Sequence, residues 1–138
     1  MKFLCIYKPA KPEGTPPTQQ EMTKMGKFVE ESFKSGYLIS TEGCLPSALG
    51  ARVRRTGEQY KVTDGPFSEA KEVVGGFALI RANSKAEAIE YTRKFLQIAG
   101  DGEAEIRQIF ESENPHHPDD AELKKAWQGE EAKQVLTK

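Results

Sequence analysis

The residues best spaced for chemistry lie in one run, Thr63-Asp64-Gly65-Pro66-Phe67-Ser68-Glu69-Ala70-Lys71-Glu72. Gly65 admits a positive φ and Pro66 fixes a turn, which predicts that Asp64 sits at a rigid strand end. A carboxylate held there could take a proton or orient a substrate hydroxyl. Glu69, Lys71 and Glu72 would be titratable neighbours able to shift its pKa. The competing reading is structural: Asp64 bonds the amides of its own turn while Phe67 plugs the core. Tyr7 and Arg107 are the next candidates, because strand alternation could point each into an open sheet face. A guanidinium in such a cleft recognises a carboxylate or phosphate. Its plainer alternative is a pairing with Glu105 or Glu42 across the sheet.

Other groups carry less. Cys5 and Cys44 are far apart and lack CxxC spacing, as expected of reduced, inert thiols. His116-His117 with Asp119-Asp120 has loose metal-ligand character, but adjacent ligands on a polar linker make a poor site. Arg52, Arg54, Arg55 and Lys61 form a basic hairpin without the interleaved aromatics of a nucleic-acid surface. Gly75-Gly76 lacks phosphate-loop spacing and reads as a place where strands pack closely.

The elements that must position these residues are well punctuated. Residues 2–7 alternate Phe3, Cys5 and Tyr7 with Leu4 and Ile6, apolar on both faces, which predicts a central strand. Residues 8–17 hold four of the eight prolines and form a stiff loop. Thr18-Gln19-Gln20-Glu21 is a capping box opening a helix whose stripe is Met22, Met25, Val29 and Phe33, with Phe28 flanking, up to Gly36. A strand begins at Tyr37-Leu38-Ile39, and residues 51–63 read as a hairpin about Thr56-Gly57-Glu58. Residues 73–80 form an apolar strand. Ser84-Lys85-Ala86-Glu87 opens a second helix through Ile89, Thr92, Leu96 and Ala99, and 105–110 closes the pattern as a strand. This order predicts an α+β, ferredoxin-like split βαβ fold, two helices covering one face of an antiparallel sheet. Phe3, Cys5, Phe77, Leu79 and Ile109 are expected to leave an apolar patch on the other face, to be met by a second subunit or a ligand.

The chain has 138 residues, 30% of them charged and 37% hydrophobic, with a formal net charge of −1. That suits one globular domain and argues against an obligate nucleic-acid binder. The first hundred residues are net basic and the remainder net acidic, which predicts a domain over 1–110 and an acidic extension over 111–138, with a short helix from Asp119. No apolar run spans a bilayer and the N-terminus lacks a signal-peptide pattern. A cytoplasmic protein is expected, without nucleotide, haem or metal cofactor.

The run Asp64-Gly65-Pro66-Phe67, with Glu69 and Lys71-Glu72, resembles the YCII-related proteins, specifically their DGPF-motif subgroup. Gly75-Gly76-Phe77, Glu42-Gly43 before Leu45-Pro46, and Glu105-Ile106-Arg107 extend the likeness over residues 1–110. The resemblance implies a ferredoxin-like subunit in a dimeric α+β barrel of bacterial type and no established reaction. Related proteins are thought to use a histidine on the first helix with an aspartate near the end of the second. Here the first helix has no histidine, and Asp101 alone matches loosely. Two readings follow: a homodimer binding a small molecule in a cleft on the dimer-facing side of the sheet, with catalysis open, or a non-catalytic accessory module of an extracytoplasmic-function sigma factor system.

Overall fold

The computed structural model describes residues 1–67, 69 and 73–111. Lys71, Glu72, the histidine pair and the expected helix at Asp119 lie outside them. The elements are β1 (Lys2–Pro9), α1 (Gln19–Lys34), β2 (Leu38–Gly43), a 3₁₀ turn (Ser47–Leu49), β3 (Ala51–Thr56), β4 (Gln59–Asp64), β5 (Gly76–Arg81), α2 (Lys85–Ala99) and β6 (Gly102–Gln108). Four strands form one antiparallel sheet in the order β2-β5-β1-β6, and β3-β4 stand apart as a hairpin. This is the ferredoxin-like α+β arrangement, with β1 central. Among the described residues no helix is long and apolar enough to cross a membrane.

Both helices start where the sequence placed their caps. The Thr18 hydroxyl accepts from the Glu21 amide and the Ser84 hydroxyl from the Glu87 amide, each at 3.1 Å. The two glutamates are drawn elsewhere. Glu21 pairs with Lys11, and Glu87 accepts from the Tyr37 hydroxyl, which raises the pKa of that phenol.

The inward stripes differ from those expected. On α1, Met22 and Phe33 are exposed, whereas Met25, Phe28 and Val29 are half-buried and Ser32 is buried. Ser32 satisfies its hydroxyl on the Phe28 carbonyl at 2.7 Å. On α2, Ala88 and Thr92 are buried and Ile89 is turned outward. The helices meet through rings, Phe28 against Tyr91 at 5.4 Å.

Register decides the sheet faces. Phe3 pairs with Ile80, Cys5 with Ala78 and Ile106, and Tyr7 with Gly76 and Ala104. Phe3 and Ile80 are the largest fully buried side chains, so this set faces the helices. The expectation that Phe3 and Cys5 join the uncovered patch is therefore corrected. Leu4 and Ile6 take their place beside Phe77 and Leu79, and Phe77 remains 39% exposed. The core proper is small, Phe3, Leu38, Ile80, Ala82 and Ala88, and it occupies one end of the helix–sheet layer.

Candidate functional site

At the other end the layer does not close. Where Cys5, Tyr7 and Ala78 continue the row from Phe3 and Ile80, the side chains no longer fill the gap. A cavity of about 790 Å³ opens between sheet and helices. Its floor is Cys5, Tyr7 and Ala78, and its walls include Met25, Phe28, Val29, Tyr91 and Phe95. The proline-rich strap between β1 and α1 forms one side of the mouth, and Cys44-Leu45-Pro46 with Val73-Val74-Gly75 the other. Gly76 lets β5 approach β2 so closely that a Cβ there would lie 2.7 Å from the Glu42 carbonyl oxygen. The glycine pair thus has the close-packing role that its spacing suggested.

The polar groups on the floor are few and neutral, whereas Lys11, Glu13, Glu21 and Glu42 line the cavity as charged groups. The Tyr7 ring packs edge-on against Phe95 at 5.2 Å, and its hydroxyl points to the carbonyls of Ala99 and Asp101, each at 3.4 Å. Burial pushes the Tyr7 phenol up, and the charges of Asp101 and Glu21 push it further. Thr92 donates to the Ala88 carbonyl at 2.7 Å, which leaves its oxygen free to accept from the Cys5 thiol at 4.0 Å. Burial raises the Cys5 pKa, and that contact only partly offsets it. Tyr91 is raised by burial as well, against a lowering hydrogen bond with Ser32. A protonated thiol and two protonated phenols can donate hydrogen bonds, but none is an activated nucleophile at neutral pH. Among the described residues no cluster could hold a metal ion.

The candidates from the sequence are scattered by the fold. Tyr7 lines the cavity. Arg107 pairs with Leu4, which puts it on the opposite face of the sheet, exposed and 3.4 Å from Glu105. Lys8 also reaches that carboxylate at 3.6 Å from the neighbouring strand, so Arg107 has the plainer Glu105 partner, though along its own strand and not across the sheet. Tyr7 and Arg107 therefore do not share a cleft, and the cavity lies on the helix side of the sheet rather than on its open side.

Asp64 ends β4, exposed, opposite Ala51. Its carboxylate makes no hydrogen bond or ion pair with another described residue, and it does not border the cavity. The turn after it is held by other means. The Gly65 amide donates to the Gly50 carbonyl at 3.0 Å, the Gly65–Pro66 peptide is cis, and the Phe67 amide donates to the Ser47 hydroxyl at 3.1 Å. A Cβ on Gly65 would fall 1.6 Å from the Ser47 carbonyl oxygen, so that position admits only glycine. Phe67 is half-buried beneath the Arg52 guanidinium, 3.8 Å from its ring centroid, and does not plug the core. Glu69 is exposed. Asp64, Gly65, Pro66 and Phe67 form a rigid corner at the root of the hairpin.

Sequence reasoning passed over Lys11, Glu13, Glu21, Ser47, Phe95 and Thr92. The strap was recognisable as a stiff loop from its prolines, but a glutamate thirty-four positions from its serine partner leaves no local signal.

A dehydrochlorinase of Burkholderia phenoliruptrix AC1100 that acts on 5-chloro-2-hydroxyhydroquinone, solved with 2,5-dihydroxybenzoquinone, aligns with TM-score 0.46 and 14% identity over 82% of this chain and 97% of its own. An uncharacterised protein of Rhizobium meliloti (strain 1021) is 36% identical over 67 residues. That match takes in 49% of this chain and 51% of the relative, so the chain spans about half the length of the curated relative it matches. The family model of the YCII-related domain matches residues 1–113, and the chain belongs to the YCII-related family.

Proposed function

We propose that this protein binds a small, largely apolar, ring-bearing molecule in the cavity between sheet and helices. The observation that carries the reading is the cavity itself: about 790 Å³, walled by Phe28, Tyr91, Phe95 and Met25, with neutral polar groups at Tyr7 and Cys5 on its floor. That size and mixture of apolar wall and sparse polar groups suits a small-molecule ligand. The neutral state of those groups favours binding over nucleophilic catalysis by them. The Asp64-Gly65-Pro66-Phe67 run supports assignment to the DGPF subgroup, with a scaffolding role for the motif.

The test is a thermal-shift screen of small aromatic metabolites on the full chain and on Met25→Trp, which fills the cavity. A ligand at a hundred times its Kd adds about 2.7 kcal/mol, a shift of several degrees. Shifts in the parent that vanish in Met25→Trp are expected. Equal shifts in both proteins, or none in either, would sink the proposal.

The uncovered face supports a homodimer. Leu4, Ile6, Phe77 and Leu79 make a continuous apolar strip that two copies would bury sheet against sheet. Light scattering at micromolar concentration should give twice 15.4 kDa; the monomer mass would refute it.

A further inference from the structure

The strap over the cavity is held by side chains rather than by burial. Every residue from Ala10 to Thr18 is exposed, so burial contributes little to holding it against the body. At its β1 end the Ala10 amide donates to the Asp101 carbonyl at 3.0 Å, and the Lys11 ammonium meets Glu21 at 3.3 Å. Its tip is fastened by one residue. Glu13 accepts from the Ser47 amide with Oε1 and from the Ser47 hydroxyl at 2.7 Å with Oε2, so the carboxylate clasps both donors of one serine. Ser47 in turn accepts from the Phe67 amide, and its carbonyl is the atom against which Gly65 packs. The Gly65 corner thus fixes the serine in place, and Glu13 fastens the strap to it. Pro9, Pro12, Pro16 and Pro17 stiffen the strap, which lowers the entropy gained on release and lets one contact govern the whole segment. Both halves of this clasp line or adjoin the mouth of the cavity.

We propose that the Glu13–Ser47 clasp is a latch that gates entry to the helix–sheet cavity, with the Asp64-Gly65-Pro66-Phe67 corner as its fixed post. The inference rests on the cavity being a ligand site. A gate controls how often the cavity opens, so loosening it should speed entry and exit together and leave affinity nearly unchanged. A residue that merely contacts the ligand would change dissociation alone.

The experiment uses anilinonaphthalene sulfonate as a fluorescent probe, mixed by stopped flow with the full chain, with Glu13→Gln and with Ser47→Ala. Binding by the parent, abolished in Met25→Trp, establishes that the probe reads the cavity. Glu13→Gln should raise both association and dissociation rates about tenfold, the loss expected for charge-assisted hydrogen bonds, with less than a threefold change in Kd. Glu13→Gln combined with Ser47→Ala should fall short of the product of the two single effects, because both changes act on the bond between the Ser47 hydroxyl and Glu13. Since Glu13 is exposed, the melting temperature of Glu13→Gln should stay within a few degrees of the parent's. Rates unchanged in Glu13→Gln, or a rise confined to dissociation, would overturn the latch while leaving cavity binding intact. No probe binding by the parent would overturn both.

Discussion

The corner at Gly65 and the cavity at Tyr7 make opposite uses of their residues. The corner has the most recognisable sequence in the chain, and its atoms are engaged in backbone geometry: Gly65 against the Ser47 carbonyl, the Phe67 amide on the Ser47 hydroxyl. Its one group capable of acid–base work, Asp64, is exposed and does not border the cavity. The cavity is built from a cysteine, tyrosines and phenylalanines that no motif marks, and yet it encloses volume and shifts the titration of its groups. A distinctive motif can therefore signal a demand on shape, while a binding surface can be assembled from ordinary core residues that stop short of filling their layer.

The comparison breaks most directly at Gly65. Gly65→Ala forces a methyl into the Ser47 carbonyl and should cost about 3 kcal/mol, read by urea denaturation. A cost under about 1 kcal/mol would show that the corner yields and is no fixed post.

The two thiols separate the regions next. Cys44 is exposed at the mouth, whereas Cys5 is half-buried on the floor with a raised pKa. Iodoacetamide at pH 8, followed by peptide mass spectrometry, should label Cys44 at least about tenfold faster than Cys5, since burial both raises the Cys5 pKa and limits access to its thiol. Equal rates would mean that the cavity stands open to solvent.

Alkaline pH probes the cavity as a whole. Cys5, Tyr7 and Tyr91 all have folded pKa values above their ordinary ones. Each holds its proton longer folded than unfolded, so its stabilising contribution is fully present below the unfolded pKa and lost as pH rises through the folded one. Stability should be flat near neutrality and decline from about pH 9 upward, and Cys5→Ala should soften the onset of that decline. A parent melting temperature constant to pH 11 would contradict the burial of these groups.

The smallest effect belongs to Asp64. Asp64→Asn removes a charge from an exposed carboxylate without described partners and should change stability by less than about 0.5 kcal/mol, with probe affinity unaltered. A lost affinity at equal stability would return Asp64 to the site.

Much of the fold was legible in the chain because its signals are local. Thr18 and Ser84 cap the helices they precede, the alternation around Phe3 marks a central strand, and the element order leaves the split βαβ topology as the economical choice. Gly65-Pro66 marked a strand end for the same reason, but Gly65 does not take the positive φ expected of it; the Ser47 carbonyl packed against it is what requires glycine. What local pattern cannot supply is phase. Strands apolar on both faces do not reveal which face the helices cover, and register with Ile80 and Gln108 sends Phe3, Cys5 and Tyr7 inward and Arg107 outward. The inward faces of α1 and α2 differ from those expected, since the helices meet each other through Phe28 and Tyr91, a contact between segments distant in sequence. The cavity and the Glu13–Ser47 clasp depend on segments brought together by the sheet, and non-local packing alone determines where a layer fills and where it stays open.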